Sequence, residues 1–77
     1  MKAYELIDSP DKWYGGRHES YGLCAVTAIV KVYGYASGQH TRLRYHIYGQ
    51  DGRGLVSQWN DRSDWETVYN TLKALDI

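Results

Sequence analysis

Between Gly22 and Gly34 the chain runs LCAVTAIVKVY, eleven consecutive residues of which only Thr27 and Lys31 are polar. A segment that is apolar nearly all round has to be covered on nearly all sides. A chain of 77 residues has room for one hydrophobic core, so this segment is expected at its centre. Its β-branched residues, Val26, Thr27, Ile29, Val30 and Val32, keep a strand conceivable. Its length, its lack of internal turn residues and Gly34 at the position of a helix-ending glycine favour a buried helix over about 23–33.

So small a domain usually needs a disulfide, a metal or very efficient packing. Cys24 is the single cysteine, which excludes an internal disulfide, and no paired Cys/His spacing suggests zinc. The apolar area comes instead from three Trp and eight Tyr, with no Phe. Each such ring buries roughly 150–250 Å² and carries a polar tip, so some of them can serve a binding face. A free thiol, no signal-peptide pattern and no long apolar run read as one soluble, cytoplasmic domain over residues 1–77, with no membrane segment.

A second helix is predicted over about 63–75. Trp65, Val68, Tyr69, Leu72 and Leu75 fall at i, i+3, i+4, i+7 and i+10, and SDWE at 63–66 has the form of a capping box from Ser63 to Glu66. Asp64 and Glu66 in the first turn and Lys73 near the last suit the macrodipole. Near the N-terminus, AYELID offers a short helix, and Ser9 with Pro10 and Asp11 marks a second helical start ahead of Trp13. Residues 14–22 read as a turn-rich loop around Gly15 and Gly16. Over 41–59 the pattern is divided. Leu43, Tyr45 and Ile47 alternate with Arg42, Arg44, His46 and Tyr48, as in a half-buried strand, and GQDGRG then serves as a hairpin turn into LVSQW. Leu43 and Ile47 are also an i, i+4 helical pair. Local alternation slightly favours the hairpin. The fold class is therefore a mainly α, small single domain, with a short hairpin at 41–59 as the α+β variant. The predicted core is Trp13, Leu23, Val26, Ile29, Val30, Leu43, Ile47, Trp59, Trp65, Val68, Tyr69 and Leu72.

The order LIDSPDKWYGG, then CAVTAI opening an apolar helix that ends at YG, then QWND before a capped last helix, resembles an uncharacterised family of small bacterial and phage proteins. Its signature positions fall here on Trp13, Cys24, Trp59, Asn60 and Asp61, and the similarity covers residues 6–16, 24–34 and 58–75. The chain departs from it at Thr27-Ala28, where the family carries Gly-Ala, and over the alternating segment, which in the family reads as helical. The resemblance implies a mainly helical small domain, with Trp-Asn-Asp as a hinge before the last helix, and no established activity.

Formal net charge is zero, which excludes a general polyanion binder. The distribution is uneven: residues 1–22 carry −1, residues 23–57 carry +3 and residues 58–77 carry −2. Within the basic part, Arg42, Arg44, His46, Tyr48 and Arg53, with Tyr45 among them, combine cations and aromatics in the composition of protein-binding hot spots. On a strand, Arg42, Arg44, His46 and Tyr48 would share one exposed face. The same residues suit weak stacking and phosphate contact with single-stranded nucleic acid or RNA. Cys24 at a helix start, with His18 or His46 as base and Asn60 or Asp61 as orienting group, is the cysteine-nucleophile alternative, against a plain reading as a small buried residue. His18, His40 and His46 with Asp51 or Asp61 show no ligand spacing, so no metal and no cofactor are implied. Asn60 and Asp61 are expected to make the turn that leads into Ser63. The leading expectation is a non-enzymatic protein-binding adaptor or inhibitor, one concrete form being a phage-type modulator of a host defence or transcription complex. A cysteine hydrolase or transferase and a weak nucleic-acid binder are the alternatives.

Overall fold

The computed structural model describes residues 1–15 and 22–77. The mainly helical expectation holds. In chain order the elements are α1 (Ala3–Leu6), a 3₁₀ turn (Pro10–Lys12), α2 (Ala25–Tyr33), α3 (Gly38–Tyr48), α4 (Val56–Arg62) and α5 (Trp65–Leu75). Helix α2 touches α1, α3 and α4, and α5 packs on α1, within extents of 32 × 26 × 20 Å. No helix among the described residues is long and apolar enough to cross a membrane.

Helix α2 confirms the reading of the apolar segment. Ala25, Ala28 and Ile29 are wholly buried at i, i+3 and i+4, and Gly34 ends the helix at φ 87°, a conformation that suits glycine. The small residues at 25 and 28 let neighbouring backbones come close. Cys24 is the N-cap; its Sγ accepts from the Thr27 amide at 3.5 Å and lies 3.2 Å from Thr27 Oγ1. It is half-buried rather than a core residue.

The hairpin is not formed. Residues 38–48 are helix, started by Ser37, whose Oγ accepts from the His40 amide at 3.2 Å, and ended by Gly49 at φ 80°. Leu43 is buried and Ile47 half-buried, one turn apart. Tyr45, which a strand would turn inward with them, is 40% exposed. A single i, i+4 pair makes a narrow stripe, and period-2 alternation contains that pair too, so the two patterns coincide over this stretch. An isolated parallel β-bridge pairs Trp13 with Leu23. There Tyr14 N–H donates to the Leu23 carbonyl at 3.0 Å, and Leu23 N–H to the Lys12 carbonyl at 2.8 Å.

Helix α5 starts one residue later than the capping-box reading. Asp64, not Ser63, is the N-cap, and its Oδ1 accepts from the Thr67 amide at 2.8 Å. Ser63 closes α4 instead, its Oγ donating to the Trp59 carbonyl at 2.7 Å. With the Ser63 hydroxyl so engaged, the Asp64 carboxylate makes a charge-assisted bond at the positive end of the helix. The Thr67 hydroxyl, then the Thr67 amide, hold the Asp64 carboxyl below its ordinary value of 3.8. A depressed folded-state value contributes stability above the ordinary pKa and loses it as pH falls through the folded one. Thermal midpoints of the wild type and Asp64→Asn should therefore converge as pH is lowered past 3.8, because the amide caps without ionising. Parallel loss in both proteins would contradict this role for Asp64.

Trp13, Ile29, Leu43, Val68 and Leu72 are core residues as predicted, while Leu23, Val26, Ile47, Trp59 and Trp65 are partly buried against that core. Val30 and Tyr69 are only half-buried. Ala3, Ile7, Ala25, Ala28, Val56 and Ile77 complete the core and were not predicted. Trp65 stacks on Tyr69 with centroids 5.3 Å apart, Tyr69 meets Tyr4 edge-on at 6.0 Å, and Trp65 Nε1 donates to the Ile7 carbonyl at 2.7 Å.

Candidate functional site

The Trp-Asn-Asp signature is not a hinge. It lies inside the last turns of α4, and Asn60 is a polar residue buried in the core. Its Oδ1 accepts from Trp13 Nε1 at 2.8 Å and from the Ala25 amide at 2.9 Å, while its Nδ2 donates to the Tyr14 carbonyl at 2.9 Å. One amide thus ties α4 to the 13–15 segment and to the first turn of α2. A Cβ at Gly15 would collide with Asn60 Nδ2 and the Trp13 ring, so only glycine fits beside this node. Trp59 packs against the core and Asp61 is exposed. Both ends of the Asn60 amide are engaged within the protein, which leaves its role architectural and removes it as an orienting group for a ligand or a nucleophile.

The five predicted binding residues separate once 38–48 is a helix. Positions two apart on a helix are about 200° apart in azimuth, so Arg42 and Arg44 point to opposite sides. Arg42 Nη2 donates to the Leu75 carbonyl at 2.8 Å, closing the end of α5. Tyr48 works internally as well: its hydroxyl donates to the Leu55 carbonyl at 3.0 Å and accepts from Arg62 Nη2 at 3.2 Å, with the Arg62 guanidinium 5.7 Å from the ring centroid. A Cβ at Gly52 or at Gly54 would overlap Tyr48, so the 49–55 loop wraps this side chain. His46 is exposed in the last turn of α3.

Arg44 and Arg53 do come together. With His40 they line an open trough of about 300 Å³ whose apolar wall is Val26, Leu55 and Val56. A second trough of about 140 Å³ continues from it, sharing Val26 and His40 and reaching Val30, Ala36 and Tyr35. Leu55 is 57% exposed and Tyr35 84%, so large apolar groups lie open at both ends of this groove. Among the described residues the ion pairs are Lys2–Asp76 at 3.3 Å and Lys12–Asp8 at 2.9 Å. Lys12 shows what pairing does: the hydrogen bond it donates to Asp8, and then the charge of that carboxylate, raise the lysine above its ordinary 10.5. Arg44 lies 5.4 Å from the centroid of its neighbour Tyr45, and among the described residues neither Arg44 nor Arg53 takes part in an ion pair. The groove's apolar wall was not anticipated. The excess charge of residues 23–57, with Asp51 their single acid, was the available signal.

No hydrogen bond links Cys24 to a histidine among the described residues; His18 and Gly16 lie outside them. No group of three or more His, Cys, Asp or Glu among the described residues is placed to hold a metal ion. No family model matches the chain, and neither a curated protein nor a solved structure matches it, so the resemblance rests on its quoted motifs and the groove geometry carries the functional argument.

Proposed function

We propose that the protein is a non-enzymatic protein-binding adaptor or inhibitor, and that its docking face is the groove between α2, α3 and α4. The observation that supports this reading is the pair Arg44 and Arg53, two guanidiniums with no carboxylate partner among the described residues, edging a trough walled by Val26, Val56 and the exposed Leu55. Arginine and tyrosine are the residue types that concentrate binding energy in protein interfaces, and the aliphatic wall supplies apolar area around them. A standard interface takes about 800 Å² from each partner, which is available on an accessible surface of 4936 Å². One concrete form of this reading is a modulator of a host complex, such as a defence or transcription assembly.

The test is affinity capture followed by binding of the purified captured protein, with wild type against Arg44→Ala/Arg53→Ala. Arg42 and Tyr48 are unsuitable targets because both hold internal hydrogen bonds. The double variant is expected to keep its thermal midpoint and to weaken binding by about 2 kcal/mol or more, roughly thirtyfold. Equal recovery by both proteins sinks the assignment of this face.

A further inference from the structure

The groove is chemically two-ended. Arg44 and Arg53 edge the larger trough, while the smaller one is lined by Val30, Ala36 and Tyr35, with Val26 and His40 common to both. We infer that it reads a short segment of a partner protein in which a carboxylate side chain stands beside an aliphatic one. The carboxylate meets Arg44 and Arg53, and the aliphatic group enters the Val26–Val30–Ala36 end. This rests on the reading of the groove as the docking face.

Charge and size both select that occupant. Residues 23–57 carry +3, and neither arginine forms an ion pair among the described residues, so the groove's field favours an anion. A guanidinium donates two parallel N–H groups in a fork that matches a carboxylate. Phosphate would satisfy the same fork, but a nucleic-acid backbone brings no aliphatic group to cover Val26, Val56 and Leu55. An acidic and apolar peptide serves both ends at once. Volumes of about 300 and 140 Å³ lie at or below the low end of small-molecule and cofactor pockets. Two adjoining open troughs, rather than one enclosed cavity, suit two neighbouring residues of a peptide read separately.

The experiment titrates the full chain with blocked peptides and follows amide shifts and fluorescence anisotropy. One peptide carries adjacent Glu and Leu residues; the others replace Glu by Gln, or Leu by Ser, and a single-stranded oligonucleotide of equal charge is run beside them. The Glu/Leu peptide should shift Val26, His40, Arg44 and Leu55, and each replacement should weaken binding at least tenfold. Arg44→Ala/Arg53→Ala should bind the Glu and Gln versions equally. Val30→Ser, at the apolar end, should lose the preference for Leu while keeping that for Glu. The inference is overturned if the Gln peptide binds as well as the Glu peptide, if the oligonucleotide binds more tightly, if the groove shifts instead follow self-association, or if no peptide binds. Failure of every peptide while Arg44→Ala/Arg53→Ala still loses the captured partner removes the motif and leaves the docking face. Failure of both experiments removes the face itself.

Discussion

Asn60→Ala is expected to abolish cooperative folding at room temperature. The substitution strips the acceptor from Trp13 Nε1 and the Ala25 amide and the donor from the Tyr14 carbonyl, at a side chain with no solvent exposure. Leaving a buried polar group unsatisfied costs about 1–3 kcal/mol. With three groups affected and partial relaxation, a total of about 4 kcal/mol or more is expected, against a net stability of only about 3–5 kcal/mol for a domain of this size. Asn60→Asp separates the two halves of the amide: it keeps the acceptor for Trp13 and Ala25 but turns an oxygen toward the Tyr14 carbonyl, so it too should destabilise. Urea unfolding followed by tryptophan fluorescence reads the effect directly. If Asn60 only shaped a turn, the loss would stay under about 1 kcal/mol; a midpoint that close to wild type would refute the buried-node account.

Ile77→Ala carries the second large effect, at a position the helical stripe of α5 does not include. Past Leu75 the backbone turns at Asp76, φ 58°, with the Asp76 amide donating to the Lys73 carbonyl and the Ile77 amide to the Leu72 carbonyl, each at 3.1 Å. That is the paired hydrogen-bond pattern of a Schellman ending, which places an apolar residue after the turn against the helix three positions from its end. Ile77 and Leu72 are both wholly buried. The Ile77 carbonyl accepts from the Ala3 amide and, at 3.0 Å, from the Tyr33 hydroxyl, so the same residue fastens α5 to α1 and α2. Truncation to alanine leaves these backbone bonds and empties the core position, at about 2–5 kcal/mol; Ile77→Val should cost about 0.5–1.5 kcal/mol. Denaturant midpoints of the two variants give the comparison, and an Ile77→Ala protein as stable as wild type would show the residue to be a free tail.

How much was legible from sequence depends on where each interaction's partners lie. The stop of α2 and the stripe of α5 are set by residues within one or two turns of each other, and both helices were found within about two residues of their ends. The Ser9-Pro10 start was visible for the same reason. Ser63 and Asp64 are adjacent competitors for one cap. Composition does not say which wins, because the Ser63 hydroxyl is taken by the Trp59 carbonyl of a helix that was itself unforeseen. Around the candidate binding residues, the excess of cations over acids in residues 23–57 was countable. The separation of Arg42 from Arg44, and the diversion of Tyr48 to the Leu55 carbonyl, required knowing that 38–48 is a helix.

By itself, then, the sequence determined a single small core, the central apolar helix, the capped last helix and a basic middle segment, since each follows from local periodicity, turn chemistry or a count of charges. Tertiary structure decided the rest. Leu43 and Ile47 satisfy strand and helix patterns alike, and packing of α3 against α2 and α4 resolves them. Asn60 becomes a core residue only because Trp13 and Ala25, 47 and 35 positions away, bring donors to it. Arg44 and Arg53 become one site only because the loop into α4 returns alongside α3 and Val26. Each of these depends on groups that meet through folding alone, and no local pattern records such a meeting.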